Sequence, residues 1–259
     1  MVAGSTHSRE ATAMKPIEFT TRTSSDGVLE RDFVVDDVPG VLWSAETGPT
    51  GPLVLLCHGG GTHKRAAAMS GRAHKLVLDG GLSAVTLDAP AHGDRPRSAY
   101  DEEQVEIMQR LMAAGDPVGP VVEEYNADIA RRAVPEWRAT LDALQRLPEI
   151  GAGPVGYFGL NMGTAIGIPL VAAEPRIAAA VFGVFWHDSV APAAKEITVP
   201  LEFVMQWDDE HIPREQGLAL FDAFGSTQKT LHANAGRHKE VPRFESDSAT
   251  RFFVRHLLS

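Results

Sequence analysis

The sequence predicts an α/β protein: a doubly wound, mostly parallel sheet carrying a helical cap insertion. Three observations support this. Short apolar runs of strand length alternate with longer stretches at helical spacing, the pattern of βαβ units. Most of those runs are continuously apolar, as strands covered by helices on both faces must be. Several end directly in glycine-rich turns.

Taken in order, residues 1–14 are small and polar with no apolar core, and read as a disordered leader. One domain is expected over 15–259. Residues 17–23 and 32–43 read as an antiparallel edge, with Val38-Pro39-Gly40 as its turn. Strands are expected at 53–57, 82–87, 155–158, 178–185, 201–205 and 229–233. Helices are expected at 64–79, stopped by Gly80-Gly81; at 136–146, stopped by Leu147-Pro148; and at 214–224, stopped by Gly225.

Strand-to-helix connections usually span about 2 to 6 residues, so the stretch 94–134 is an insertion. Within it, residues 103–112 place Val105, Met108, Leu111 and Met112 on one side, and Gly115-Asp116-Pro117 ends the helix. Either that stripe packs on the body, or its adaptable Met and Leu side chains cover a substrate pocket.

Composition narrows the function. With 259 residues, 44% hydrophobic and 22% charged, the chain is globular rather than disordered, collagenous or coiled-coil. Lys and Arg number 24 against 34 Asp and Glu, a net charge of −10 that repels a phosphate backbone. Its one dense basic stretch, Arg131-Arg132 to Arg138, is interrupted by Pro135 and Glu136. No nucleic-acid partner is expected. A single cysteine, Cys57, leaves neither an internal disulfide nor a cysteine-built zinc site, and fits a reducing cytoplasm. No run reaches the roughly 18 apolar residues that span a bilayer, so no membrane partner is expected either. Oligomeric state stays open, with a homodimer as one option.

Four motifs carry chemistry. His58-Gly59-Gly60-Gly61 follows the strand at 53–57, where glycines let backbone N–H groups approach a ligand oxygen. Gly159-Leu160-Asn161-Met162-Gly163 follows the strand at 155–158 and has the form G-x-S-x-G, the nucleophile elbow, with asparagine at its centre. Trp207-Asp208-Asp209-Glu210-His211-Ile212-Pro213 follows the strand at 201–205, and Gly236-Arg237-His238 follows the last strand. Nucleophile position, acid and histidine thus come in the chain order of a hydrolase triad.

These motifs, together with Asp88-Ala89-Pro90-Ala91-His92-Gly93-Asp94-Arg95, resemble the α/β-hydrolase superfamily, and within it the dienelactone-hydrolase-like and small bacterial esterase branch. The resemblance spans about residues 17–258. It implies the α/β-hydrolase fold and a small-molecule ester or lactone substrate, with no metal and no organic cofactor. Asp209 is implied as the acid, because the family pattern places Ile/Val-Pro three and four residues after it; Asp208 is the alternative. His238 is implied as the base. The Met162 N–H and one from Gly60 or Gly61 are implied as the oxyanion hole. His58 is expected to organise its loop at the pocket, and Trp186 and His187, after the strand at 178–185, to line it with Met108 and Met112. His92, His211 and His232 read as structural or solvated.

Asn161 departs from the family pattern. A carboxamide nitrogen has its lone pair delocalised into the carbonyl and is no substitute for an activated hydroxyl. Its backbone, however, suits the turn, since asparagine tolerates positive φ well. Three readings stay open: an ester or lactone hydrolase whose serine has been exchanged, so that it binds but turns over poorly; a natural variant using His238 and water, or performing an elimination, cyclisation or isomerisation; and an inactivated relative of the aspartate-nucleophile branch. That last branch usually has proline where Gly61 stands. A ligand-binding pseudo-hydrolase is the non-enzymatic alternative, and it would have no use for the retained Asp209 and His238.

Overall fold

The computed structural model describes residues 17–48 and 50–258; the leader expected over 1–14 lies outside the described residues. Along the chain run β1 (Glu18–Ser25), β2 (Val28–Val35), β3 (Val38–Ala45), β4 (Leu53–Cys57), α1 (Ala67–Leu78), β5 (Ser83–Leu87), α2 (Ala99–Ala114) and α3 (Gly119–Leu144). Then come β6 (Val155–Gly159), α4 (Met162–Ala173), β7 (Ile177–Gly183), α5 (Ala191–Ala194), β8 (Leu201–Gln206), α6 (Arg214–Ala223), β9 (Lys229–Asn234) and α7 (Phe244–Leu257).

The strands form one sheet in the order β1-β2-β3-β5-β4-β6-β7-β8-β9. From β5 to β9 every pairing is parallel, while β1, β2 and β3 meander antiparallel along the edge. Strand β4 lies near the middle with all five residues buried, which explains its unbroken apolar sequence. On one face α1 and α7 bury Leu76, Val77, Phe252 and Phe253 against Trp43, Leu56 and Phe158. On the other, Ile129, Trp137 and Leu141 of α3 and Ile166 of α4 join Leu55, Tyr157 and Phe182. Each such large side chain contributes about 1.5–3 kcal/mol by leaving water.

Two expectations are corrected. The edge has three strands, and Val38-Pro39-Gly40 lies within β3, where Pro39 faces Val34 and Gly40 faces Phe33. The turns are instead Asp26-Gly27 and Asp36-Asp37, with φ of 53°, 81°, 48° and 67°. A tight hairpin between twisted strands needs two successive left-handed residues, and proline, locked at negative φ, cannot supply one. Secondly, the helix expected to begin at residue 136 begins at Gly119 and runs through Pro135. Its buried positions, Val122, Tyr125, Ile129, Ala133, Trp137, Leu141 and Leu144, continue at helical spacing across the proline. That packing outweighs the roughly 3 kcal/mol that an interior proline costs. The stretch 94–134 therefore divides into α2 with its flanking loops and the N-terminal half of α3.

Helix α2 is fastened to α3 through Asp101. Its carboxylate completes a capping box with Ser98 and accepts hydrogen bonds from Arg132 Nη2 (2.7 Å) and the Tyr125 hydroxyl (3.1 Å). Burial alone would raise the Asp101 carboxyl, but hydrogen bonds from Arg132 and Ser98 outweigh it and hold the group well below the usual carboxylate range. Among the described residues, no helix is long and apolar enough to cross a membrane.

Candidate active site

Strand β6 ends at Gly159 and α4 begins at Met162, leaving Leu160 and Asn161 to reverse the chain. Asn161 adopts φ 57° and ψ −123°. Its N–H donates to the Gly183 carbonyl (3.0 Å), and its own carbonyl accepts from the Thr164 and Ala165 amides (2.8 and 3.2 Å). The turn is sharp enough to exclude side chains on either side. A Cβ at Gly159 would overlap the Gly163 carbonyl, and one at Gly163 would stand 2.7 Å from the Cys57 carbonyl. With φ positive and ψ far from the left-handed α region, the backbone at Asn161 is strained for any residue that carries a Cβ.

Loops after β8 and β9 bring two further groups to the same rim. Asn161 Nδ2 lies 2.6 Å from His238 Nε2, and His238 Nδ1 lies 2.8 Å from Asp209 Oδ2. A carboxylate only accepts, so Nδ1 carries the proton and Nε2 is left to accept from the Asn161 amide. The other Asp209 oxygen accepts from the His211 and Ile212 amides (2.8 and 3.0 Å). Burial pushes the Asp209 carboxyl up, yet the bonds from His238 and these amides prevail and hold it below the ordinary carboxylate range. Asp208 points elsewhere: it is more than half exposed and pairs with Arg214 at 3.0 Å. Glu210 accepts the His238 backbone N–H (2.9 Å), which lowers its carboxyl to about 2.

Asn161 and His238 open onto a cavity of about 480 Å³, with Asp209 held behind the His238 ring. Met108, Met112 and Trp186 line it, as do Gly60 and Gly61 after β4 and Met162 at the start of α4. Met162 is the first residue of α4, where the backbone N–H has no acceptor within the helix. His58 and His187 do not line the cavity. His58 is fully buried, with Nε2 accepting from the Ala89 N–H (3.1 Å) and Nδ1 donating to the Gly59 carbonyl (2.9 Å), so it ties the loop after β4 to the loop after β5. The His187 N–H donates to Gln216 Oε1 (3.0 Å), and its ring turns toward Asp188.

Sequence reasoning missed other cavity residues. His211, read as structural or solvated, lines the cavity and packs edge-on against the His238 ring, with centroids 5.2 Å apart. His92 also lines it, while holding the Pro90 carbonyl (2.8 Å). Val118, just before α3, and Val122, Tyr125 and Asn126 within it form a further wall, with Arg97, Gln109 and Lys239 elsewhere. Their i, i+4, i+7, i+8 spacing on α3 was readable only to an eye that carried the helix back through Pro135. Among the described residues, no group of three His, Cys, Asp or Glu side chains is placed to hold a metal ion.

Burial lowers His58 to about 4, so its neutral form is built into the fold. In the unfolded chain it takes a proton near its ordinary 6.5. The stabilisation is therefore complete above that value and is lost as pH falls toward 4, by about 3 kcal/mol in all. Denaturant titrations between pH 7 and 4.5 should show this decline in the wild type and a markedly flatter one in His58→Gln.

A mostly parallel nine-stranded sheet, with an elbow after β6 and acid- and histidine-bearing loops after β8 and β9, defines the α/β-hydrolase class of fold. Scans of protein-family models and of curated proteins return no match. Among solved structures, a cold-adapted esterase from an Arctic intertidal metagenomic library superposes with a TM-score of 0.74 at 32% identity, over 93% of this chain and 99% of that one. Acetyl xylan esterase 1 from a Thermoanaerobacterium species gives 0.71 at 14% identity, over 95% and 90%. A 2,6-dihydroxy-pseudo-oxynicotine hydrolase gives 0.59 at 17%, over 88% and 68%. The last two share the fold. The chain belongs to the same α/β-hydrolase family as the cold-adapted esterase.

Proposed function

We propose that the site is that of a carboxylic ester or lactone hydrolase of the serine-triad type in nucleophile-substituted form, which binds its substrate and turns it over poorly. The observation that carries this is the Asn161 amide, 2.6 Å from His238 Nε2, where an attacking oxygen would stand. With a hydroxyl there, His238 would take its proton as the oxygen bonds to the substrate carbonyl, and would pass that proton to the departing alkoxide. Asp209 would hold the imidazole in the required tautomer. The Met162 amide and one from Gly60 or Gly61 would stabilise the oxyanion, each donor contributing about 3–4 kcal/mol in the transition state. Water would then release the acid by the same route.

In the present chain the relay ends on a poor nucleophile. The amide also donates into Nε2, which occupies the lone pair that would activate a water molecule. This favours binding with residual turnover over a histidine–water mechanism. Calorimetric titration with short-chain esters and lactones should show binding, and His238→Ala should leave any slow p-nitrophenyl ester cleavage within a few-fold. A large drop in that variant would establish histidine-activated water instead.

A further inference from the structure

The wall of the cavity contributed by α3 contains a polar group that the mechanism does not use. Asn126 is 5% exposed, yet its carboxamide has no hydrogen-bond partner among the described residues. It is also not among the buried polar atoms sealed away from solvent without a partner. The little surface it keeps therefore faces the cavity it lines. Buried amides are almost always hydrogen-bonded, and an amide left open in an otherwise apolar wall draws its partner from outside the chain.

Its surroundings set it apart from a solvated surface residue. Val122 and Val118 stand one and two turns before it on the same wall, and Met108, Met112 and Trp186 contribute further apolar surface. The neighbouring Tyr125 hydroxyl is already engaged by Asp101, so it does not serve Asn126. No residue lining the cavity is an aspartate or glutamate, so nothing there complements a cationic ligand group. Arg97, Gln109 and Lys239 line the cavity away from this wall, and within it the open carboxamide can donate to or accept from a hydroxyl or oxo oxygen on an otherwise apolar chain.

We infer that Asn126 is a specificity-determining residue, and that the ligand's chain carries a hydroxyl or oxo oxygen, remote from the ester, that hydrogen-bonds its carboxamide. This rests on the proposed ester-binding reading and adds the class of substrate. A binding site built around a hydrogen bond discriminates against an analogue lacking that group more sharply than an apolar pocket discriminates by size.

The test uses the chain as it is, with two ladders of probes: ethyl esters of C4 to C8 acids and C4 to C8 alkyl acetates, each plain, hydroxy-substituted or oxo-substituted. Dissociation constants come from calorimetry. At one chain length the oxygenated member should bind about tenfold more tightly than the plain one. Asn126→Leu, of similar volume, should erase that preference, bringing the oxygenated and plain members of one chain length to within about twofold of each other. If plain esters bind and no oxygenated member is preferred, the inference fails while the ester-binding reading stands. If the preference survives in Asn126→Leu, it fails likewise. If no member of either ladder binds, both fail. The wild-type comparison decides the matter even if the variant does not fold.

Discussion

Asn161→Ser should raise the cleavage of a short-chain p-nitrophenyl ester at least about a hundredfold over the present chain. Loss of a triad nucleophile typically removes about 10⁶ in turnover, while oxyanion donors and binding retain roughly 10³ to 10⁴ over water. Every other part of the relay is in position: His238 is anchored by Asp209 at 2.8 Å, and the elbow holds residue 161 within 2.6 Å of Nε2. A serine Oγ stands one bond nearer the backbone than Asn161 Nδ2 and faces the same imidazole nitrogen. A serine variant that stays at background on a broad ester and lactone panel, while the present chain transforms some other compound, would rule out the serine-triad reading.

In that serine form, Asp209→Asn should lower kcat by about 10³ to 10⁴, because an amide no longer fixes the proton on Nδ1 and the imidazole adopts the wrong tautomer. Asp208→Asn should change kcat no more than a few-fold, since Asp208 serves only the exposed pair with Arg214 and a long contact to the Gly236 amide. Steady-state kinetics on the two variants separates the adjacent aspartates directly. Equal effects would mean that the loop after β8 rearranges when substrate binds.

Much of this arrangement is legible in the sequence alone. Six parallel strands announced themselves as short runs, most of them continuously apolar, and the chemistry-bearing residues stood immediately after four of them, where a parallel sheet gathers its loops at one edge. Adjacent aspartates could not be separated by residue type; the backbone amides of His211 and Ile212, which aim Asp209 at His238, make the difference. The N-terminal half of α3 was hidden because proline normally marks a boundary, and here tertiary packing overrides it. His187 was misplaced because proximity to a strand end says nothing about which way the chain leaves the strand. Asn126 was hidden with that half of the helix, and its open carboxamide shows only in what surrounds it in space.

Pro135 has one more consequence. Lacking an N–H, it leaves the Arg131 carbonyl without its helical donor, so one rung is absent between the part of α3 that walls the cavity and the part bedded on the sheet. Bending stiffness in a helix comes largely from those rungs, and the rod is therefore most compliant at that point.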